Sequence, residues 1–258
     1  MDGLTVLSAA GAVLCVISFI AGLIDAIAGG GGLIALPAFL AVGFPPHYIM
    51  GTSQCSTIPA TILTTVQFAR EGKVHWPSAL ICLPACIVGA LLGARLNIVT
   101  PEHVLRIIMV ALVPVVALVV LGKREMGEVN QVDTLSRRRL VVTNLLIGLV
   151  LGAYQGFYGA GSGTFLIMAF AIACKLDLVT ASGNMKFVCM ASTLVATATY
   201  VLEGLVAWDF VLGIMLFNTA GAFIGARLAL TRGTRAIRPM FAVVLTLLLV
   251  KVVADLLG

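Results

Sequence analysis

Two glycine-rich interruptions are the places where this chain could do chemistry. One is Asp25-Ala26-Ile27-Ala28-Gly29-Gly30-Gly31-Gly32-Leu33, and the other is Gly159-Ala160-Gly161-Ser162-Gly163-Thr164. Each breaks an apolar run and then feeds another. A turn leading into a helix leaves several amide N–H groups unpaired and aimed together, and the helix dipole adds positive potential, which makes an anion-binding arrangement. The candidate donors are the amides of Gly29, Gly30, Gly31 and Gly32 and of Gly159, Gly161 and Gly163. Gly51-Thr52 and Gly183-Asn184 are expected to begin two further helices, bringing Thr52, Ser53, Gln54 and Asn184 to the same cavity.

Two ionisable residues sharpen this reading. Lys186 follows Asn184 and precedes an uncharged run, so its ammonium lies at or inside the membrane boundary. Asp25 stands alone: no Asp, Glu, Lys or Arg occurs from there to Arg70. An ionisable side chain within a membrane is a functional candidate by default. Lys186 would hold an anion. Asp25 would carry a proton and couple transport to pH, cap a backbone end, or pair with Lys186; the sequence leaves these open.

The elements that must position these groups are membrane helices. The 258 residues are 60% hydrophobic and only 10% charged, where soluble domains carry about 25% charged residues. Mean hydropathy is +1.12. Charge-free apolar runs cover 3–24, 107–122, 140–174, 187–202, 210–226 and 239–250, and several reach the ~20 residues that span a bilayer. The expected fold is therefore an all-α polytopic membrane protein. Met1-Asp2-Gly3 gives the first run no basic leader, so it reads as a membrane helix and not as a signal peptide. Net charge of +5 resides in short loops, as membrane topology demands, and points to no nucleic acid partner.

Helices are expected over about 4–28, 33–43, 50–69, 77–97 and 103–121, and again over 140–158, 163–174, 184–202, 208–230 and 236–257. The polar stretch between them divides the chain into a first membrane repeat (1–122), a linker (123–139) and a second membrane repeat (140–258). The halves match in register: Glu71-Gly72-Lys73-Val74-His75-Trp76 corresponds to Glu203-Gly204-Leu205-Val206-Ala207-Trp208, and Gly89 to Leu96 corresponds to Gly221 to Leu228. Five Lys or Arg in the linker make it cytoplasmic, and the charges of the remaining loops then give each half an odd number of crossings. Two inverted-topology repeats of roughly five helical segments each follow. The segments after the glycine breaks are too short to span and could form re-entrant hairpins. Gly89/Gly93 and Gly221/Gly225 are spaced for close helix packing.

Other chemistry is disfavoured. The second break lacks the Gly-Lys-Ser/Thr ending of a nucleotide loop. Cys82 and Cys86 share a helix face, but no further Cys or His completes a metal set, and His47, His75 and His103 are scattered. No enzyme, cofactor or metal is expected.

The motifs at Asp25 to Ile34, Gly51-Thr52-Ser53-Gln54, Gly159 to Gly163 and Asn184-Met185-Lys186 resemble those of the TauE/SafE sulfite-exporter family, also called TSUP transporters, over nearly the whole chain. The resemblance implies a multi-pass protein of a bacterial cytoplasmic membrane that moves sulfite, sulfoacetate or a related sulfur-containing anion. Relatives often have Asp where this chain has Gln155, so a second acidic coupling residue is not carried over. The expected function is a secondary transporter working by alternating access. An anion channel, a metal or cation importer using Asp25, Cys and His, and self-association into a homo-oligomer stay open.

Overall fold

The computed structural model describes residues 9–105, 107–108, 130–233 and 235–236. The start of the first expected helix, most of that at 103–121, linker residues 123–129 and nearly all of that at 236–257 lie outside them. Every regular element described is helical: α1 (Ala9–Ala28), α2 (Gly32–Ala41), α3 (Pro46–Arg70), α4 (Trp76–Val99), a 3-10 turn at Val132–Thr134, α5 (Arg137–Phe157), α6 (Ser162–Ala173), α7 (Leu178–Leu202) and α8 (Trp208–Arg232). In a bilayer the backbone must satisfy its own polar groups, and a helix does so within one segment. Helices α1, α4, α5, α7 and α8 are long and apolar enough to cross a membrane.

Helix α3 is as long as α7, but its apolar character is interrupted by Thr52, Gln54, Ser56, Thr61, Thr64 and Thr65, all of them buried. Their burial inverts the soluble pattern: polar side chains face the interior, while Leu80, Val88 and Leu92 of α4 and Leu212 and Leu216 of α8 point outward. The interior of this bundle is where polar groups can meet; the outside is suited to lipid.

Two helix starts differ from expectation. Helix α3 begins at Pro46, where the fixed φ of proline suits the first turn and the missing N–H costs nothing. Helix α7 begins at Leu178 because Asp177 caps it, its Oδ1 accepting from Val179 N at 3.1 Å and Thr180 N at 3.0 Å. Gly51-Thr52 and Gly183-Asn184 therefore lie inside helices and present no free N-terminal amides. An Asp before an apolar run was the overlooked signal.

These glycines serve packing instead. A Cβ on Gly51 would run into the Leu205 carbonyl oxygen, and one on Gly183 into the Lys73 carbonyl oxygen. The start of α3 thus lies against the segment following α7, while the segment following α3 lies against the start of α7, so the two helices run antiparallel. A shift of 132 residues interchanges the two contacts. Hydrogen bonds repeat the relationship: Thr52 Oγ1 accepts from Ala207 N at 3.0 Å, and Asn184 Oδ1 accepts from His75 N at 2.7 Å. Helices are also exchanged between halves. Gly89 and Gly93 of α4 admit the backbone of α5 at Leu149 and Ala153, and Gly221 and Gly225 of α8 admit α1 at Phe19 and Leu23.

Helices α2 and α6, of 10 and 12 residues, rise only about 15–18 Å. Helix α6 folds back on α5: Lys175 O, just past its end, accepts from Gln131 N at 2.9 Å, and Lys175 Nζ donates to Thr134 Oγ1 at 3.1 Å. The end of this hairpin therefore returns to the segment from which it started.

Gly51→Ala or Gly183→Ala forces a methyl group into a backbone carbonyl, and should cost at least the ~1–3 kcal/mol of an overpacked core. A thermal melt of detergent-solubilised protein checks this: either variant melting with the wild type would refute the close contact.

Candidate functional site

The two glycine breaks touch. Helix α1 ends at Ala28, and Gly29, at φ +73°, turns the chain. A left-handed residue without a side chain is needed there, because a Cβ on Gly29 would come within 2.6 Å of Thr164 N, and one on Gly163 within 2.6 Å of Gly29 Cα. Thr164 takes up two carbonyls at the end of α1: its N–H donates to Gly29 O at 3.2 Å and its Oγ1 to Ala28 O at 2.8 Å. The second elbow is held from its own side, where Tyr154 OH donates to Ala160 O at 2.8 Å and Tyr200 OH to Gly156 O at 3.0 Å.

Beside this crossing lies a cavity of about 80 Å³, room for several waters or a small ion. Asp25, Gly31, Gly32, Ser53, Gln54, Gly159 and Gly163 from the sequence-derived set line it. Gly29, Gly30 and Gly161 are absent from the lining and belong to the elbow backbone. Thr52 and Asn184 are engaged elsewhere, each closing the other half's loop; Asn184 also donates through Nδ2 to His75 O at 3.3 Å. Lys186 sits behind Asp25, not in the wall. Its Nζ donates to Asp25 O at 2.6 Å and lies 3.2 Å from Asp25 Oδ2. Of the three roles open for Asp25, pairing with Lys186 and capping are both realised, since Oδ1 also accepts from Gly31 N at 3.3 Å.

The electrostatics follow. The Lys186 side chain is 2% exposed, whereas that of Asp25 is 42% exposed, so the carboxylate reaches open space and the ammonium does not. Those two charges offset each other. The amides of Gly32 and Gly163, both in the wall, donate to no backbone carbonyl, and neither do those of Gly30 and Gly161 behind them. Wall amides left without a carbonyl partner suit an anion.

The neutral half of the site joins Gln54, a candidate from the sequence, to Gln155, to which the sequence assigned no role. Gln54 Nε2 donates to Gln155 O at 2.9 Å, as Lys186 Nζ does to Asp25 O. Gln155 Oε1 in turn accepts from Ser162 Oγ. Further wall residues are Thr57, Thr61 and Thr64, a stripe along α3, together with Thr193 on α7 and Asn218 on α8. Their signals were a helical spacing of hydroxyls and a single amide inside the apolar run 210–226. Among the described residues no three His, Cys, Asp or Glu side chains gather to hold a metal.

A bundle of apolar helices whose broken segments meet around a polar cavity defines a multi-pass membrane transporter. Residues 14–252 match the family model described as sulfite exporter TauE/SafE, and the chain belongs to that family. It is 34% identical over 244 residues to "Probable membrane transporter protein ORF9" of Sinorhizobium sp, covering 95% of this chain and 92% of the relative. It is 31% identical over 245 residues to "Probable membrane transporter protein YfcA" of Escherichia coli K12, covering 94% and 89%. A Bacillus subtilis relative, "Probable membrane transporter protein YdhB", is 24% identical over 220 residues, covering 83% and 88%. No solved structure matches the chain.

Breaking the ion pair from its two ends should have unequal effects. Asp25→Asn strands a buried ammonium and is expected to approach the ~3–5 kcal/mol of an uncompensated buried charge. Lys186→Met leaves a carboxylate that water can reach and should cost less. Thermal melts of both single variants and the double variant check this; equal losses, or no recovery in the double variant, would contradict the burial asymmetry.

Proposed function

We propose that this protein is a secondary transporter of a small sulfur-containing anion, working by alternating access between two inverted halves. The observation that carries the reading is the placement of the Asp25 carboxylate, which occupies two donors, the Gly31 amide and the Lys186 ammonium, at the wall of the cavity. A carboxylate is itself an oxyanion, and what holds it is suited to holding another. The sulfur-containing class rests on the family description and suits a small, hydroxyl-lined site with room for a few oxygen atoms.

The same contacts supply a coupling mechanism. While Asp25 is ionised its charge cancels that of Lys186, and its oxygens occupy their donors. A proton on Asp25 uncovers one net positive charge and weakens its hold on Gly31 N. An anion then binds beside the uncovered charge, using the free amides of Gly32 and Gly163. Proton and anion bind together, and a monoanion would cross with no net charge. The antiparallel run of α3 and α7 supports the inverted arrangement, and the Arg137-Arg138-Arg139 cluster supports a cytoplasmic linker in the inner membrane of a bacterium.

Purified protein in liposomes, given labelled sulfite, sulfoacetate, thiosulfate and sulfate with and without a pH difference, tests both parts. Uptake of at least one anion should accelerate when its own compartment is acidified and should ignore an imposed membrane potential if that anion is a monoanion. Folded Asp25→Asn protein should lose the pH dependence and become sensitive to potential. Uptake of none of the four refutes the substrate class, and an Asp25→Asn variant with wild-type pH dependence refutes the coupling.

A further inference from the structure

Equivalent positions in the two halves make equivalent contacts at the loops and the exchanged helices. At the cavity they do not. In one half α3 and α8 face each other across it: Ala60, Thr61 and Thr64 of α3 line the space, and so does Asn218 of α8. Asn218 makes no bond to α3 there; its Nδ2 donates to Ser18 O on α1 at 3.2 Å. In the other half the residues equivalent to Ala60, Thr64 and Asn218 are Ser192 and Ala196 of α7 and Cys86 of α4, and there the helices are shut; Thr193, the equivalent of Thr61, reaches the same cavity instead. The Cys86 thiol and the Ser192 hydroxyl are hydrogen-bonded, and Cys86 Sγ also approaches Val188 O at 3.6 Å. Cys82, Cys86, Ser192 and Ala196 are all fully buried, at 0% exposure.

From this asymmetry we infer a second, closed vestibule between α4, α5 and α7, walled by Cys82, Cys86 and Ser192. It admits the same small anion from the opposite face of the membrane. The inference rests on the transporter reading above and extends it by naming the residues of the second gate. Because α3 and α7 run antiparallel, the rotation that superposes them exchanges the two ends of the bundle. Two halves with matching packing have similar energies whichever is open, so exchanging their states gives the alternate conformation. The seam between α4 and α7 suits repeated opening: the Cys86 thiol meets the Ser192 hydroxyl and Val188 O, groups that can take water once parted.

The test uses the native chain and its Thr61→Cys variant in right-side-out and inverted membrane vesicles actively exchanging sulfoacetate. Each preparation is treated with a membrane-impermeant, permanently charged methanethiosulfonate, and the modified cysteines are mapped by mass spectrometry. Modification of the residue-61 thiol from one face only, and of Cys86 from the other face only, is the expected result. Modification of both from the same face, or an unmodified Cys86 in vesicles that transport, overturns the second vestibule while leaving the transporter reading intact. Opposite-face modification in vesicles that move none of the sulfur anions supports the vestibule and overturns the substrate class instead.

Discussion

Backbone that leaves a helix inside a bilayer must find partners within the protein, and this structure is built around that constraint. The end of α1 releases carbonyls that no later turn of its own helix can take. Thr164 takes two of them, through its amide and its hydroxyl, so the first elbow is completed by the second. Neither elbow is a free-standing motif. The absence of a Cβ at Gly29 and Gly163 lets the two chains cross closely enough for those bonds to form, and the crossing in turn fixes where the cavity lies. Asp25 and Gln155, each a turn before its elbow, both reach the wall of that cavity.

The remaining packing keeps the crossing in register. Each half supplies the helix that the other half's hairpin lies along, α4 for α5 and α8 for α1, through glycine pairs that admit a neighbouring backbone. In lipid, where apolar side chains gain little from leaving the surroundings, close approach of this kind is a leading source of association. Exchanged helices also mean that neither half can move as a body without sliding along a surface owned by the other.

The class of fold was legible because membrane composition is so strongly biased, and loops and glycine pairs visibly recur in order along the sequence. The elbows stood out because each gathers several glycines within a few residues, whereas the packing glycines Gly89/Gly93 and Gly221/Gly225 are spaced a helical turn apart. Helix starts were harder. Gly183-Asn184 resembles a helix entrance, yet Asp177 caps α7 well before it, and Asn184 instead closes the loop at His75. Lys186 was legible as an intramembrane charge, but sequence spacing carries no information about which side of a carboxylate an ammonium will occupy. The structure puts it behind Asp25, where it sets the charge of the site without touching the space. Asn218 escaped notice because a neutral amide in an apolar run leaves no charge signal, and Gln155 stood out only through the family resemblance, without a role of its own.

The pairing of Lys186 with Asp25, set beside that of Gln54 with Gln155, has a consequence for what kind of molecule can hold this site. An assembly of two identical chains would carry the ionic pair twice or not at all, since every residue would appear on both sides of its axis. One continuous polypeptide has no such restriction: each position can vary alone, and a single charged arm beside a neutral one is open to it.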